Sequence, residues 1–224
     1  MRPLHRCMVV LVGIVTAGGG WWHYRTPEVT VLSFHIGQTF EEVAKASTYP
    51  VMMHSNIPSE DDTQFGATWV SDPAVVIRFN DPKHGFVLPP TKFAALTYSH
   101  NKAATLATSP MLEKMPFDQA VTVLENLQEQ FKAGGWEPWE GDDSKWFDLT
   151  PEGKRRLYEA MVQTGVSQTL ELRIPKKYGM TFRFWCAAGC GTRKPPYLFM
   201  IDVGIGRDTH SWWDEDRRRG AGGD

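Results

Sequence analysis

Apolar residues recur at helical spacing in one segment of the chain. Residues 116–132 place apolar side chains at steps of three and four, which predicts a helix with a single apolar stripe. Gly134-Gly135 follows directly and accepts the left-handed backbone that ends such a helix. A second helix is predicted over 150–163, because Thr150 can cap its first turn and Pro151 suits its first position.

A third helix is predicted from a capping signal near the start of the body. Thr39 can accept from the free amides of a first turn, and Glu42 stands three residues later as the partner in a capping box. This helix must end before Pro50, since the residue that precedes a proline disfavours helical geometry.

Six further segments carry the pattern of strands. In four of them every second side chain is apolar, which is typical of antiparallel strands with one covered face. The polar run 99–102 between two of them predicts a hairpin loop. The six predicted strands cover residues 74–79, 92–98, 103–108, 170–174, 180–184 and 197–203.

The order of these elements predicts an α+β fold in which helices pack on antiparallel β meanders. One domain is expected over residues 26–206, built from two similar halves at 35–110 and 115–206. Residues 207–224 show no periodicity, which predicts a disordered tail.

The N-terminal 25 residues have the three parts of an export signal. Arg2 and Arg6 precede an apolar run at 8–15, and small residues follow at 17–20. Residues 1–25 are therefore predicted to direct the body to the periplasm, where it is soluble after signal cleavage.

An uncleaved anchor in the inner membrane is the alternative for the same segment. Trp21, Trp22 and Tyr24 would suit the membrane–water interface. The apolar stretch is nevertheless shorter than the roughly 20 residues that span a bilayer.

Export changes the interpretation of the cysteines. Cys186 and Cys190 are separated by three residues, and in an oxidising compartment we expect a disulfide that closes a hairpin loop. Free thiols, or a metal or redox site, remain alternatives, although a metal site would need two more ligands. We predict no metal site.

Composition and motifs argue against several classes of function. The 24 basic and 26 acidic residues leave no basic footprint for nucleic acid, so no nucleic-acid partner is expected. The nucleophile-elbow, helical zinc and phosphate-loop motifs are absent from the sequence. We predict no catalytic residue and no cofactor. A hydrolase whose site is assembled from distant residues is the alternative.

The segment between the two C-terminal helices is unusual for a loop, because it combines tryptophans with carboxylates. Large aromatic side chains beside charged groups are typical of binding hot spots. Trp139 is the tryptophan expected to be exposed, whereas Trp136 and Trp146 could instead belong to the core. The predicted partner-binding residues are Trp136, Glu137, Trp139, Glu140, Asp142, Asp143 and Trp146.

Residues 36–43, Ile-Gly-Gln-Thr-Phe-Glu-Glu-Val, resemble the helix entry of small exported envelope proteins of Gram-negative bacteria. These include the small lipoprotein of the outer-membrane barrel-assembly machinery and, in fold, β-lactamase-inhibitor-protein-like scaffolds that combine a helix with a meander. The chain departs from the lipoprotein in having no cysteine to acylate directly after its signal. The resemblance implies a periplasmic binding or inhibitory scaffold without catalysis.

Together these features predict a periplasmic, non-catalytic module that binds a protein. One such role is an immunity or inhibitor protein that blocks a secreted toxin. An envelope assembly factor is the alternative, with a toxin or an envelope component as the respective partner.

Overall fold

The computed structural model describes residues 30–56, 65–139, 145–192 and 194–211, which form three helices and ten strands. This confirms the predicted α+β class. The helices are α1 (Phe40–Ala46), α2 (Phe117–Ala133) and α3 (Pro151–Thr164). The strands are β1 (Val31–Phe34), β2 (Gly66–Val70), β3 (Val75–Phe79), β4 (Phe86–Thr91), β5 (Ala94–Ser99), β6 (Lys102–Thr108), β7 (Glu137–Pro138), β8 (Gln168–Ile174), β9 (Tyr178–Ala188) and β10 (Leu198–Arg207).

The three predicted helices are confirmed, and side-chain caps stand at the start of two of them, α1 and α3. At α1 the Thr39 hydroxyl accepts from the Glu42 amide at 3.3 Å, and the Glu42 carboxylate accepts from the Thr39 amide at 2.8 Å. At α3 the Thr150 hydroxyl caps the first turn, and Gly165 ends the helix with a left-handed φ of 70°.

The six predicted strands are found, but four others were not predicted. β1 and β7 are only four and two residues long, too short for a clear alternation. β4 contains Pro89 and Pro90, which argue against a strand because neither can donate to a ladder. β2 is the fourth.

The strands form two sheets that do not follow the predicted halves. The small sheet has the order β1-β3-β4, with β1 parallel to β3. The large sheet has the order β2-β5-β6-β10-β9-β8-β7 and is antiparallel throughout. Two similar halves are not seen, because β6 of the first proposed half pairs with β10 of the second within one sheet. Alternation predicts strands, but it does not specify which strands pair.

Helix α2 lies between the two sheets and fills the core. The Phe131 ring of α2 packs against Phe86 of β4 and Phe182 of β9, with ring centroids 4.8 and 5.0 Å apart. On the large sheet the side chains that point towards α2 are buried, among them Leu96, Leu172 and Ile201. We call this side the inner face, and the opposite side of the large sheet the outer face.

A buried carboxylate connects the turn after β3 to the β8–β9 hairpin. Asp81 accepts from the Lys177 ammonium at 2.7 Å and the Tyr178 hydroxyl at 2.8 Å. It also accepts from the amides of Lys83 and His84, both at 2.9 Å. Burial raises the pKa of Asp81, but these four hydrogen bonds outweigh it and hold the pKa well below its usual range.

The described part of the predicted tail, residues 207–211, makes hydrogen bonds with the β8–β9 turn. The Asp208 carboxylate accepts from the amides of Lys176 and His210, at 2.7 and 2.9 Å, and from the Ser211 hydroxyl. Burial raises the pKa of Asp208, and the hydrogen bonds lower it further than burial raises it. The segment is therefore held by a polar anchor that has no periodic signature. Residues 212–224 lie outside the described residues.

The predicted disulfide is present in the structure. Cys186 and Cys190 are bonded across the β9–β10 connection with their Cα atoms 6.1 Å apart, within the usual range for a disulfide. Gly189 and Gly191 provide the turn with φ angles of 84° and 72°.

The described residues contain no helix that could span a membrane and no cluster of metal-ligating side chains. No helix among them is long and apolar enough to cross a membrane, and the predicted signal or anchor at 1–25 lies outside them. In the same ranges, no group of three or more His, Cys, Asp or Glu side chains is placed to hold a metal ion.

Candidate binding surface

Trp136, one of the predicted binding residues, belongs to the core. Its side chain is 3% exposed, and its ring packs against Phe79, Phe86 and Tyr178. The indole NH donates to the His84 carbonyl at 3.1 Å. Trp136 is therefore a core residue, as the alternative interpretation of its position beside α2 expected, and it is unavailable to a partner.

Glu137 and Trp139 lie where β7 joins the edge of the large sheet. Glu137 is about half exposed and stands opposite Arg173, with 3.6 Å between its Oε1 and the arginine Nε. The Trp139 amide donates to the Glu171 carbonyl at 2.8 Å, and its ring stacks on His210 with centroids 4.0 Å apart. The expectation that Trp139 is exposed is wrong, because residues 208–211 bring His210 against its ring.

Trp146 lies on the other side of the large sheet from Trp139. It is partly buried against the core, and the Lys132 ammonium of α2 is 5.0 Å from its ring. Glu140, Asp142 and Asp143 lie outside the described residues. The described members of the predicted set therefore do not form one surface.

The outer face of the large sheet instead carries a continuous row of residues that crosses all seven strands. Trp69 of β2 is opposite Ala95, which is opposite Ala107. The row continues through Gly204 of β10, Thr181 and Glu171, and it ends at Trp139. Six strand spacings of about 4.8 Å make this row about 29 Å long.

Aromatic side chains project from the β2 end of this row. Trp69 is 53% exposed, Phe65 just before β2 is 57% exposed, and Phe93 just before β5 is 52% exposed. Side chains that are two or four residues apart on a strand point to the same face of the sheet. Phe65 therefore lies on the same face as Trp69, and Phe93 on the same face as Ala95, so all three rings belong to the outer face. We call Phe65, Trp69 and Phe93 the aromatic ridge.

Small side chains form a hollow in the middle of the row. Its volume is about 330 Å³, and Glu171, Thr209 and His210 stand at its border. A Cβ added to Gly204 would meet no atom closer than 3.8 Å, and one added to Gly206 none closer than 3.5 Å. Packing within the chain therefore does not require glycine at either position, and both glycines leave open space above the sheet. The small residues of the hollow are Thr105, Ala107, Gly179, Thr181, Gly204 and Gly206.

Charge is sparse on the outer side of β2, β5, β6 and β10. By alternation, Lys102 and Asp202 are the charged side chains on that side of these four strands, and Asp202 accepts from the Ser109 hydroxyl. Arg207, at the exposed end of β10, also borders the hollow. Thr97 and Thr105 satisfy each other across the strands, with hydroxyl oxygens 2.6 Å apart. An outer sheet face that meets only water is normally polar, so this composition favours contact with another molecule.

The free edge of β2 is closed to further strands. Asn56 donates its amide to the Ala67 carbonyl at 3.2 Å and accepts from the Ala67 amide at 3.0 Å. The Tyr49 hydroxyl donates to the Trp69 carbonyl at 2.7 Å. A partner must therefore approach the aromatic ridge from the face of the sheet and not along its edge.

A polar network behind this edge fixes the position of β2. The Thr68 hydroxyl lies 2.7 Å from the Ser55 hydroxyl and 2.9 Å from the Tyr98 hydroxyl. Burial raises the pKa of Tyr98 to about 12, so the phenol stays neutral and can donate at neutral pH. The ridge thus projects from a rigid support.

The ridge and hollow were not among the residues predicted from sequence. A signal existed at β2, since the run Ala-Thr-Trp-Val ahead of Asp72-Pro73 is rich in strand-forming residues. The hollow had no comparable signal, because its residues come from three strands that only the sheet order brings together. Comparison with known proteins finds no matching family model, no curated relative and no solved structure.

Proposed function

We propose that this chain is an extracytoplasmic, non-catalytic module that binds a protein partner on its outer face. The observation that carries the proposal is the aromatic ridge, three rings each more than half exposed beside a nearly uncharged floor. Apolar surface of this kind marks interaction sites, and aromatic anchors dominate binding energy. This face carries aromatic rings, small side chains and hydroxyls that hydrogen-bond each other, and such groups suit contact with a protein surface.

The disulfide supports the extracytoplasmic part of the proposal, because such bonds persist in oxidising compartments. The test is thiol labelling in intact cells that produce either the full chain or a chain lacking residues 2–25. We expect Cys186 and Cys190 to be protected in the first and labelled in the second. Labelling of both cysteines in both chains would contradict export.

Partner binding is tested by capture from an envelope extract of the source cells with the full-length chain as bait. Trp69→Ala removes the largest ring of the ridge, and Gly204→Arg fills the hollow from a position where a side chain has room. We expect both changes to abolish capture of a stoichiometric protein. Gly204→Ala and Val166→Ala are the matched controls, since Val166 is equally exposed but follows α3.

The outcomes separate the roles expected from the sequence. Capture of a secreted toxin, lost in both ridge and hollow variants, supports the immunity or inhibitor role. Capture of membrane-assembly components with the same dependence supports the envelope assembly factor. Capture that is equal for all four variants would overturn the outer face as the binding surface.

A further inference from the structure

The aromatic ridge and the hollow lie on the same face of the sheet at a fixed separation. Trp69 and Gly204 belong to one cross-strand row, three strands apart. Three spacings of about 4.8 Å place them about 14 Å from each other. A projection and a depression on one rigid face are the elements that a self-complementary contact needs.

We propose that the protein partner of the outer face is a second copy of this chain, with the Trp69 ring of each copy in the hollow of the other. The inference rests on the proposed function and names its partner. A two-fold axis parallel to the strands, about 7 Å from both Trp69 and Gly204, exchanges their positions. The sheets then pack face to face with their strands aligned, as in β-sandwiches.

In this arrangement β2, β5, β6 and β10 of one copy cover β10, β6, β5 and β2 of the other. These are the four strands whose outer side is nearly uncharged, and charge depletion is what distinguishes the core of an interface. The charged outer positions of β8 and β9, which include Glu171, Arg173 and Arg183, lie beyond the overlap and form its rim.

The area is close to what a specific dimer needs. The four strands hold 28 residues, of which about 22 overlap, because the five residues of β2 can cover only five of the ten in β10; at about 16 Å² each they present about 350 Å² of sheet. Covering the exposed halves of three aromatic side chains adds roughly 300 Å². The total of about 650 Å² lies within the range of about 600–1,000 Å² that each partner contributes to a standard interface.

The β2 edge supports a facial contact over other modes of self-association. Asn56 and Tyr49 occupy the hydrogen-bonding groups of Ala67 and Trp69, so a second copy cannot extend the sheet there. Met52 and Met53, 66% and 83% exposed, stand beside the same edge. They would meet the border of the partner's hollow.

Sedimentation velocity of the full chain up to about 100 µM tests the proposal, since interfaces of this size reach micromolar affinity or better. We expect the unmodified chain and Gly204→Ala to dimerise, and Gly204→Arg to remain monomeric. A monomer at the highest concentration, or a dimer that persists in Gly204→Arg, would overturn the proposal.

Cysteine pairing tests the register directly. Trp69→Cys and Gly204→Cys are made as separate chains, each with Cys7→Ser, and are treated alone or mixed with a thiol-to-thiol cross-linker that spans about 10 Å, the separation of stacked sheets. We expect a cross-linked dimer only in the mixture, because each position faces the other across the axis and lies about 17 Å from its own equivalent, offset by about 14 Å along the sheet and about 10 Å between the sheets. Equal cross-linking of either chain alone, or none in the mixture, would contradict the arrangement.

The two proposals fail in different ways. An unmodified chain that stays monomeric but captures another protein through Trp69 and Gly204 removes the second copy and leaves the outer face as a binding surface. Loss of both self-association and face-dependent capture removes both proposals.

Discussion

Replacing Asp81 by asparagine tests whether a buried carboxylate holds the β8–β9 hairpin to the turn after β3. The amide oxygen of Asn can still accept from the Lys83 and His84 amides, so the turn itself should survive. The change removes the ion pair with Lys177 and the charge that the Tyr178 hydroxyl donates to. We expect Asp81→Asn to keep the fold and lose stability.

The size of the stability loss depends on which of the contacts of Asp81 are buried. Asp81 is buried, but the Lys177 side chain is 47% exposed, so solvent screens much of the ion pair. The Tyr178 hydroxyl is buried, and its hydrogen bond to a charged group is worth about 1.5–3 kcal/mol. In Asn an NH2 group stands in place of that oxygen, so the hydroxyl can only accept from it, which retains part of this energy. We expect the free energy of unfolding to fall by about 1–2 kcal/mol at pH 7.

The pH dependence gives a sharper test. Because the pKa of Asp81 is lowered in the folded state, its contribution is complete above the unfolded pKa of about 3.9 and is lost as pH falls towards the folded value. Below pH 4 the unmodified chain should therefore lose about 1.4 kcal/mol per pH unit relative to Asp81→Asn.

Urea unfolding followed by tryptophan fluorescence at pH 7 and near pH 3 measures both effects. Glu113→Gln, at an exposed carboxylate on the loop before α2, is the control and should shift neither value. If Asp81→Asn and the unmodified chain lose stability in parallel on acidification, the carboxylate is not held by the contacts described above.

Three further changes test particular contacts. Cys186→Ala with Cys190→Ala should cost about 2 kcal/mol for a loop of this length, and the double variant should no longer respond to reductant in urea unfolding; an unchanged response would place the reducible bond elsewhere. Gly153→Ala should destabilise α3 by about 1–3 kcal/mol, because its Cβ would overlap Asp148. A thermal melt that rises instead, as for an unobstructed helical glycine, would refute that packing. Trp136→Ala should cost about 3–5 kcal/mol in chemical denaturation, as expected for a core ring. Trp139→Ala should cost clearly less, and equal losses would contradict the different placement of the two rings.

Local signals in the sequence were sufficient for the helices and the disulfide. Thr39, Thr150 and Gly165 act within a few residues of themselves, so their contacts could be predicted from spacing. The C-x3-C spacing of Cys186 and Cys190 was likewise a local property.

Strand pairing and the binding surface could not be predicted in the same way. The pairing of β6 with β10 joins residues about a hundred positions apart, and no local pattern specifies it. Trp136 and Trp139 are three residues apart, yet one lies in the core and the other stacks on His210, because β7 joins the sheet between them. The ridge and hollow depend on this same sheet order.

The position of β10 in the large sheet has a consequence for how the chain acquires its structure. β10 is the last strand in sequence among the described residues, but it is the central strand of the sheet, between β6 and β9. Until residues 198–207 have left the ribosome, β6 and β9 have no partner on that side, and the two parts of the sheet cannot join. Such non-local pairing folds slowly. The nascent chain therefore stays incompletely folded until late in synthesis, and the export proposed above would need such a state, because a folded sheet does not fit a narrow translocation channel.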